Sequence, residues 1–184
     1  MTQIREENSL FDCVGSIVAS QYVITAAHCV KDQLLTRIVL DFNNSTSTKW
    51  VSVSNVLIHP LYDDTTYVYD IALLKTTGHM DISKYTPICL PSLLDEIRGR
   101  RPYYGRKAEI VVYRGGHQKT VYGRLSFHEN ESLICTFPDE EIKEGDSGGP
   151  LTVVEDGVHT LAGVTSHALP GSTHPKVDLC CSSM

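Results

Sequence analysis

The chain has 184 residues, of which 41% are hydrophobic, so it is long enough to bury a core as one compact domain or as two small lobes. Its net charge of −6 gives no electrostatic support to a nucleic-acid-binding role. No apolar run approaches the length that a membrane-spanning helix requires.

Short runs of Val, Ile, Thr and Tyr recur along the chain and are separated by Gly, Pro, Asn and Asp. In chain order, examples lie at residues 50–53, 108–113 and 151–154. The sequence shows no sustained amphipathic helix, internal repeat or low-complexity segment. This pattern predicts an all-β fold, either a barrel or a sandwich.

Three short strings carry residues with a shared chemistry: Thr-Ala-Ala-His-Cys at residues 25–29, Asp-Ile-Ala-Leu-Leu at 70–74 and Gly-Asp-Ser-Gly-Gly-Pro at 145–150. A serine hydroxyl needs a base to become a nucleophile, and histidine ordinarily titrates near neutral pH. A carboxylate on the other ring nitrogen selects the required tautomer.

We therefore interpret Ser147 as the nucleophile, His28 as general base and then general acid, and Asp70 as the group that orients the imidazole. The backbone N–H groups of Gly145 and Ser147 are the predicted oxyanion donors. The predicted reaction is acyl transfer, most simply hydrolysis of a peptide bond. Taken singly, the alternatives are a core histidine and an ordinary glycine-rich turn.

The three strings and their order resemble the trypsin-like (chymotrypsin-fold) serine proteases. Other segments are also similar to that family, namely residues 12–18 with 22–29, 56–62, 87–91 and 161–166. The resemblance implies two packed antiparallel six-stranded β-barrels, abbreviated at both ends, in a single peptidase domain over residues 1–184. It divides the chain into an N-terminal barrel (about 1–91), a connection (about 92–107) and a C-terminal barrel (about 108–184).

The six cysteines suit a secreted, oxidised protein, and the resemblance implies a disulfide between Cys13 and Cys29. The pairing of the other four is open: Cys89, Cys135, Cys180 and Cys181. The chemistry requires no cofactor, and no ligand spacing supports a metal. The implied partners are protein or peptide substrates, with protein protease inhibitors as a further option. The implied state is a monomer.

The resemblance also places a substrate pocket. Counted back from Ser147, Glu141 falls at the pocket floor, where a carboxylate would favour substrates with Arg or Lys before the scissile bond. The alternative is a solvated acidic loop. On the facing strand, Ser166 matches the family serine that helps to hold the aspartate, while His167 and Ala168 stand where the family usually has Trp and Gly.

The beginning of the chain departs from the family pattern. In the family, cleavage of a precursor frees an amine that pairs with the aspartate before the serine, and in this chain that aspartate is Asp146. This chain begins Met-Thr-Gln, with no such segment and no signal peptide. A buried, unpaired Asp146 would cost several kcal/mol or rearrange its loop. The sequence therefore leaves three readings: an active endopeptidase, a catalytically impaired homologue acting as a binding or regulatory module, and an incomplete gene model of an active protease.

Overall fold

The structure is a computed structural model, and it describes residues 2–4, 13–32, 37–40, 49–91, 106–114, 117–127, 133–136, 142–143, 145–168 and 179–183. Six strands lie in the first half of the chain: β1 (Thr2–Ile4), β2 (Cys13–Ala19), β3 (Tyr22–Thr25), β4 (Arg37–Val39), β5 (Trp50–Ile58) and β6 (Ala72–Thr76). Six lie in the second half: β7 (Lys107–Arg114), β8 (His117–Phe127), β9 (Leu133–Thr136), β10 (Pro150–Glu155), β11 (Val158–Ala168) and β12 (Leu179–Ser183). A short 3-10 helix spans Ala27–Cys29.

Each half closes into an antiparallel barrel. The strand order is β1-β2-β3-β6-β5-β4 in the first barrel and β10-β11-β12-β9-β8-β7 in the second. Pairing of β1 with β4 closes the first barrel, and pairing of β7 with β10 closes the second. Closure matters because it leaves no unpaired strand edge. The prediction of two six-stranded antiparallel barrels is confirmed.

Each barrel has its own apolar core, and a third cluster joins them. Ile24 of β3 packs with Leu161 and Val164 of β11 in this third cluster. The segment after the first barrel is bonded to both sides, because Ile88 N–H donates to a carbonyl of β2 and the carbonyl of Cys89 accepts from β11. The boundary between the barrels is thus a buried seam, and the functional residues described below lie along it.

The predicted strands at residues 50–53, 108–113 and 151–154 are confirmed as parts of β5, β7 and β10. The strands that complete the two barrels, β1 and β12, were not predicted from the sequence pattern. Residues 92–105 of the predicted connection (about 92–107) lie outside the described residues, so the proposed domain boundaries stay predictions. Among the described residues, no helix has the length and apolar character needed to cross a membrane.

One predicted disulfide is confirmed in the structure, and the backbone register predicts a second. Cys13 and Cys29 are bonded, as the resemblance implied. Cys89 is a free, exposed thiol. Cys135 is also disulfide-bonded, and the backbone register of β9 and β12 sets it directly opposite Cys180. Opposed residues at the closer, non-hydrogen-bonded positions of antiparallel strands can form a disulfide, and from the backbone register we predict a Cys135–Cys180 bond.

Peptide mapping without reduction, after alkylation of free thiols, tests this pairing. The expected result is one cross-linked peptide joining Cys135 to Cys180 and an alkylated Cys89. A peptide joining Cys135 to Cys181 would contradict the register argument.

Candidate active site

His28 is presented at the boundary between the barrels by a tightly packed turn. Strand β3 ends at Thr25, Ala26 continues in an extended conformation, and the 3-10 helix then carries His28. Ala26 and Ala27 are fully buried, and Cys29 is tied to β2 through the disulfide with Cys13. The backbone on both sides of the histidine is therefore held by core packing or by a covalent bond.

Asp70 lies just before β6 and is fully buried. Its Oδ1 accepts a hydrogen bond from the backbone N–H of His28 (2.8 Å), and its Oδ2 lies 2.6 Å from His28 Nδ1. Ser166 Oγ donates a third bond to Oδ2 (2.5 Å). Because an ionised carboxylate can only accept, Nδ1 of His28 carries the proton and Nε2 is the basic nitrogen.

The loop that carries Ser147 is bonded to both barrels. The carbonyl of Ser147 accepts from Val14 N–H of β2 (2.8 Å), and Gly148 N–H donates to the carbonyl of Thr165 in β11 (2.7 Å). Gly145 and Gly148 have φ values of 93° and 78°, which only glycine adopts at low cost. Ser147 is half-buried, and the next residue, Gly148, packs against Thr25 and Ala26, which lead to His28.

Two backbone donors of this loop are open. Within the described residues, the N–H groups of Gly145 and Ser147 donate to no other atom of the protein, whereas those of Asp146, Gly148 and Gly149 all do. The described structure also shows no hydrogen bond between Ser147 Oγ and His28 Nε2, and that nitrogen lies 3.6 Å from Cys29 Sγ. Contacts of this kind are often long before substrate binds.

Asp146 is buried, with 1% of its surface exposed, but it is not unpaired. Its Oδ2 accepts from the backbone N–H of Lys143 (2.8 Å), and its own N–H donates to the carbonyl of that residue (3.0 Å). The Asp146 carboxylate is therefore paired within its own loop, and the free-energy cost expected for an unpaired buried carboxylate does not apply to it. Lys143 contributes to this turn through its backbone N–H and its carbonyl.

The predicted pocket residues are only partly described. Ser166 lies where expected, bonded to Asp70, and His167 is half-buried beside it. Ala168 ends β11, but its side chain and the whole of Glu141 lie outside the described parts of the structure.

The ring of Tyr67, a residue that the sequence pattern did not single out, lies between two histidines. It meets His28 edge-on, with ring centroids 5.7 Å apart, and stacks on His167 at 5.0 Å. Its backbone φ of 55° is unusual for a non-glycine residue, and such values often occur at functional sites. The Thr-Tyr-Val-Tyr stretch immediately before Asp70 was the available signal.

Ligand atoms of Cys13, His28 and Cys29 lie within 4.8 Å of one another. Zinc and similar metals bind cysteine as the thiolate, and these two sulfur atoms are already joined in a disulfide. This cluster is therefore not a metal centre in the oxidised protein.

The family model described as Trypsin matches residues 1–180. This chain belongs to the trypsin family. Relatives include chymotrypsin-like elastase family member 1 of Rattus norvegicus (27% identity over 84% of this chain and 67% of the relative) and coagulation factor XI of Bos taurus (29% identity over 84% and 29%). Serine protease filzig of Drosophila melanogaster is 28% identical over 85% of this chain and 11% of its own length. The chain thus spans less than a third of the two longer relatives.

The glycine after the serine gives a stability prediction for this trypsin-family loop. A Cβ on Gly148 would lie 2.2 Å from both Thr25 Oγ1 and the carbonyl oxygen of Val14, in addition to the strain of φ +78°. Gly148→Ala should therefore destabilise the protein by more than about 3 kcal/mol. Gly157 is the matched control, because it has the same φ of +78° and no atom within 4 Å of its Cβ position.

Urea unfolding of both variants separates crowding from backbone strain. Gly157→Ala should cost only about 1 kcal/mol, the price of the positive φ alone. Equal losses in the two variants would contradict the close packing of Gly148 against β3.

The carboxyl of Asp70 makes stability depend on pH. Burial alone would raise its pKa, but the hydrogen bonds and charge of His28, together with the Ser166 hydroxyl, outweigh burial and hold the pKa below its ordinary value of 3.8. A carboxyl whose pKa is lower in the folded state stabilises the fold at neutral pH. That contribution is lost as the pH falls below about 4, through the folded-state pKa.

We expect the urea midpoint to fall between pH 5 and pH 3 in the wild type, and to fall less in Asp70→Asn. Asp156→Asn, at an exposed turn between β10 and β11, is the control and should follow the wild type. An unchanged slope in Asp70→Asn would show that other carboxyl groups dominate the acid transition.

Proposed function

We propose that this chain is a serine-type endopeptidase that hydrolyses peptide bonds through an acyl-enzyme on Ser147. The observation that carries the proposal is the orientation of His28. The buried Asp70 carboxylate binds both its backbone N–H and Nδ1, and this leaves Nε2 as the base. In the first step Ser147 Oγ bonds to the substrate carbonyl carbon and its proton passes to Nε2.

The rest of the cycle uses the same groups. His28 gives the proton to the leaving amine as the C–N bond breaks, and a water molecule then repeats the sequence to release the acid and regenerate Ser147. The N–H groups of Gly145 and Ser147 are the proposed donors to the oxyanion, which is supported by their lack of any other acceptor in the described residues. In such sites the loss of one donor costs about 3 to 4 kcal/mol of activation free energy.

We further propose a preference for Arg or Lys before the scissile bond, with Glu141 as the carboxylate at the pocket floor and Ser166, His167 and Ala168 along the wall. The support is the residue count from Ser147 and the position of β11 beside the serine loop. Cleavage of matched peptide esters ending in Arg, Lys or Leu, by wild type and Glu141→Gln, tests it. Equal rates on all three esters in the wild type would rule the preference out.

A secreted or extracellular location is proposed on the Cys13–Cys29 disulfide and on family membership. The proposed partners are protein or peptide substrates and protein protease inhibitors, and the proposed state is a monomer. None of the steps above requires a cofactor.

Two observations favour the second candidate, a trypsin-family binding or regulatory module without turnover. Ser147 Oγ has no hydrogen bond to His28 in the described structure, and the Asp146 carboxylate is bonded to the backbone of Lys143. A loop held by the bond between Asp146 and Lys143 can bind a substrate without directing the N–H groups of Gly145 and Ser147 at the oxyanion.

Intact mass after exposure to a fluorophosphonate probe separates the candidates. One probe adduct, with turnover of a peptide ester, supports the endopeptidase. An unlabelled, folded protein that binds peptides without cleaving them supports the module. The mass of the natural protein also tests the incomplete gene model, which predicts more than 20.4 kDa.

A further inference from the structure

The backbone that leads into Asp70 is held in an unfavourable conformation. Tyr67 and Tyr69 both have a φ of 55°, in the left-handed region that residues with a β-carbon rarely adopt. Within the described residues, Asp156 is the only other non-glycine residue with a positive φ. Because a left-handed tyrosine costs free energy, other contacts of the loop must hold the residue next to Asp70 in place.

The side chain of Tyr69 makes one such contact. Its ring stacks on the imidazole of His59, with ring centroids 4.6 Å apart and an interplanar angle of 10°. Both residues are half-buried. His59 directly follows β5, and Tyr69 directly precedes Asp70. The stack therefore joins the two ends of the loop that carries the carboxylate.

Backbone hydrogen bonds tie the same two ends together. The N–H of His59 donates to the carbonyl of Ile71 (3.1 Å), and the N–H of Ile71 donates to the carbonyl of Tyr69 (2.7 Å). Asp70 is therefore the central residue of a three-residue turn. One end of that turn contacts His59 through a hydrogen bond, and the other end contacts it through the ring of Tyr69.

The imidazole of His59 is itself fixed by the turn that follows it. Its Nδ1 accepts a hydrogen bond from the N–H of Leu61 (3.2 Å), and the carbonyl of His59 accepts from the N–H of Tyr62 (3.0 Å). Rotation of the imidazole would break the bond to Leu61 and the stack on Tyr69 together. The ring on which Tyr69 lies is thus held in one orientation.

We propose that His59 and Tyr69 are a positioning pair for Asp70. The described contacts of the pair include neither His28 nor Ser147, so the pair acts through the Asp70 carboxylate, which lies 2.8 Å from the backbone nitrogen of His28 and 2.6 Å from its Nδ1. Hydrogen bonds weaken steeply as their alignment is lost, so a small displacement of Asp70 loosens both. The effect on turnover rests on the proposed function, whereas the effect on these hydrogen bonds does not.

Amide hydrogen exchange of the folded protein, followed by NMR, tests the pair without any need for activity. The N–H of His28 donates to the Asp70 carboxylate, whereas the N–H groups of Val30 and Lys31, in the same turn, donate to the carbonyl of Ala27. Displacement of Asp70 should therefore raise the exchange rate of the His28 amide and leave the other two amides unchanged.

Four variants separate the stack from its surroundings. Tyr69→Leu and His59→Ala remove it, and each should raise the exchange rate of the His28 amide about fivefold, the size expected when one stacked aromatic pair is lost. Tyr69→Phe retains the ring and should stay within about twofold of the wild type. The control is His79→Ala, because His79 is exposed in the same barrel and bonds to Ser20, and it should also leave the rate unchanged.

Two results would overturn the proposal. Equal rises in the His28, Val30 and Lys31 amides would mean that the whole turn frays, and an unchanged His28 amide in Tyr69→Leu and His59→Ala would mean that the stack does not hold Asp70. The double variant adds a further check. It should match the single variants, whereas a rise of about twenty-five-fold would show that the two residues act independently and not as a pair.

Steady-state kinetics on a peptide ester test the consequence for turnover. In Tyr69→Leu, kcat should fall about fivefold with KM within about twofold, since the buried Asp70 orients His28. Tyr69→Phe should retain the wild-type kcat. A change confined to KM would show that Tyr69 shapes the substrate site and would overturn the positioning role. If neither wild type nor variants turn over the ester, the endopeptidase proposal fails, while amide exchange still decides how Asp70 is held.

Discussion

Ser147→Ala should abolish fluorophosphonate labelling and lower kcat on a peptide ester by on the order of a millionfold. The reason is that alanine has no oxygen to form the acyl-enzyme, so His28 and the oxyanion donors have no nucleophile to assist. Stability should change little, because Ser147 is half-buried and its loop is held by backbone bonds to Val14 and Thr165 that the substitution leaves in place.

Intact mass and steady-state kinetics measure this effect, with Ser52→Ala as the control. Ser52 is exposed on β5 and takes part in none of the hydrogen bonds described for the site, so its variant should label and turn over as the wild type does. Turnover by purified Ser147→Ala at more than about a thousandth of the wild-type rate would show that another residue carries the chemistry.

Asp70→Asn should lower kcat/KM by about ten-thousandfold at neutral pH, with the fold intact. Asp70 Oδ2 now accepts from both His28 Nδ1 and Ser166 Oγ. An amide nitrogen at that position would donate instead, and His28 would then have to carry its proton on Nε2. In that tautomer the imidazole cannot take the proton of Ser147.

Asp64→Asn is the matched control, because Asp64 belongs to the same loop but is 61% exposed and pairs with Lys31 at the surface. Its variant should keep kcat/KM within about twofold, as expected for an exposed ion pair. If the two variants lost activity equally, the loop as a whole and not the tautomer of His28 would be the cause.

Several features could be predicted from the sequence because their signals are local. Short runs rich in Val, Ile, Thr and Tyr near 50–53, 108–113 and 151–154 indicated strands, since β-branched and aromatic residues favour strands. The three strings around His28, Asp70 and Ser147 indicated the chemistry, and the resemblance they carry implied two barrels and the Cys13–Cys29 disulfide.

The missed strands had no such signal. β1 has only three residues, and β12 (Leu-Cys-Cys-Ser-Ser) contains no β-branched or aromatic residue. Each is stabilised by the partners it meets when its barrel closes. The hydrogen bond between Asp146 and Lys143 could not be predicted from the sequence either. Its donor is the backbone N–H of Lys143, so the bond depends on the shape of the turn and not on the residue type.

The sequence by itself indicated which residues are candidates for acyl transfer, their order along the chain and several of the strands around them. Only the tertiary structure decided how they are held. Asp70 is 42 positions from His28 and 96 from Ser166, and it is the closure and packing of the two barrels that bring their polar atoms within hydrogen-bond distance. The contacts of Tyr67 and His167 were likewise decided there, because a bulge in β11 and a left-handed residue in a loop set side-chain directions that no local pattern encodes.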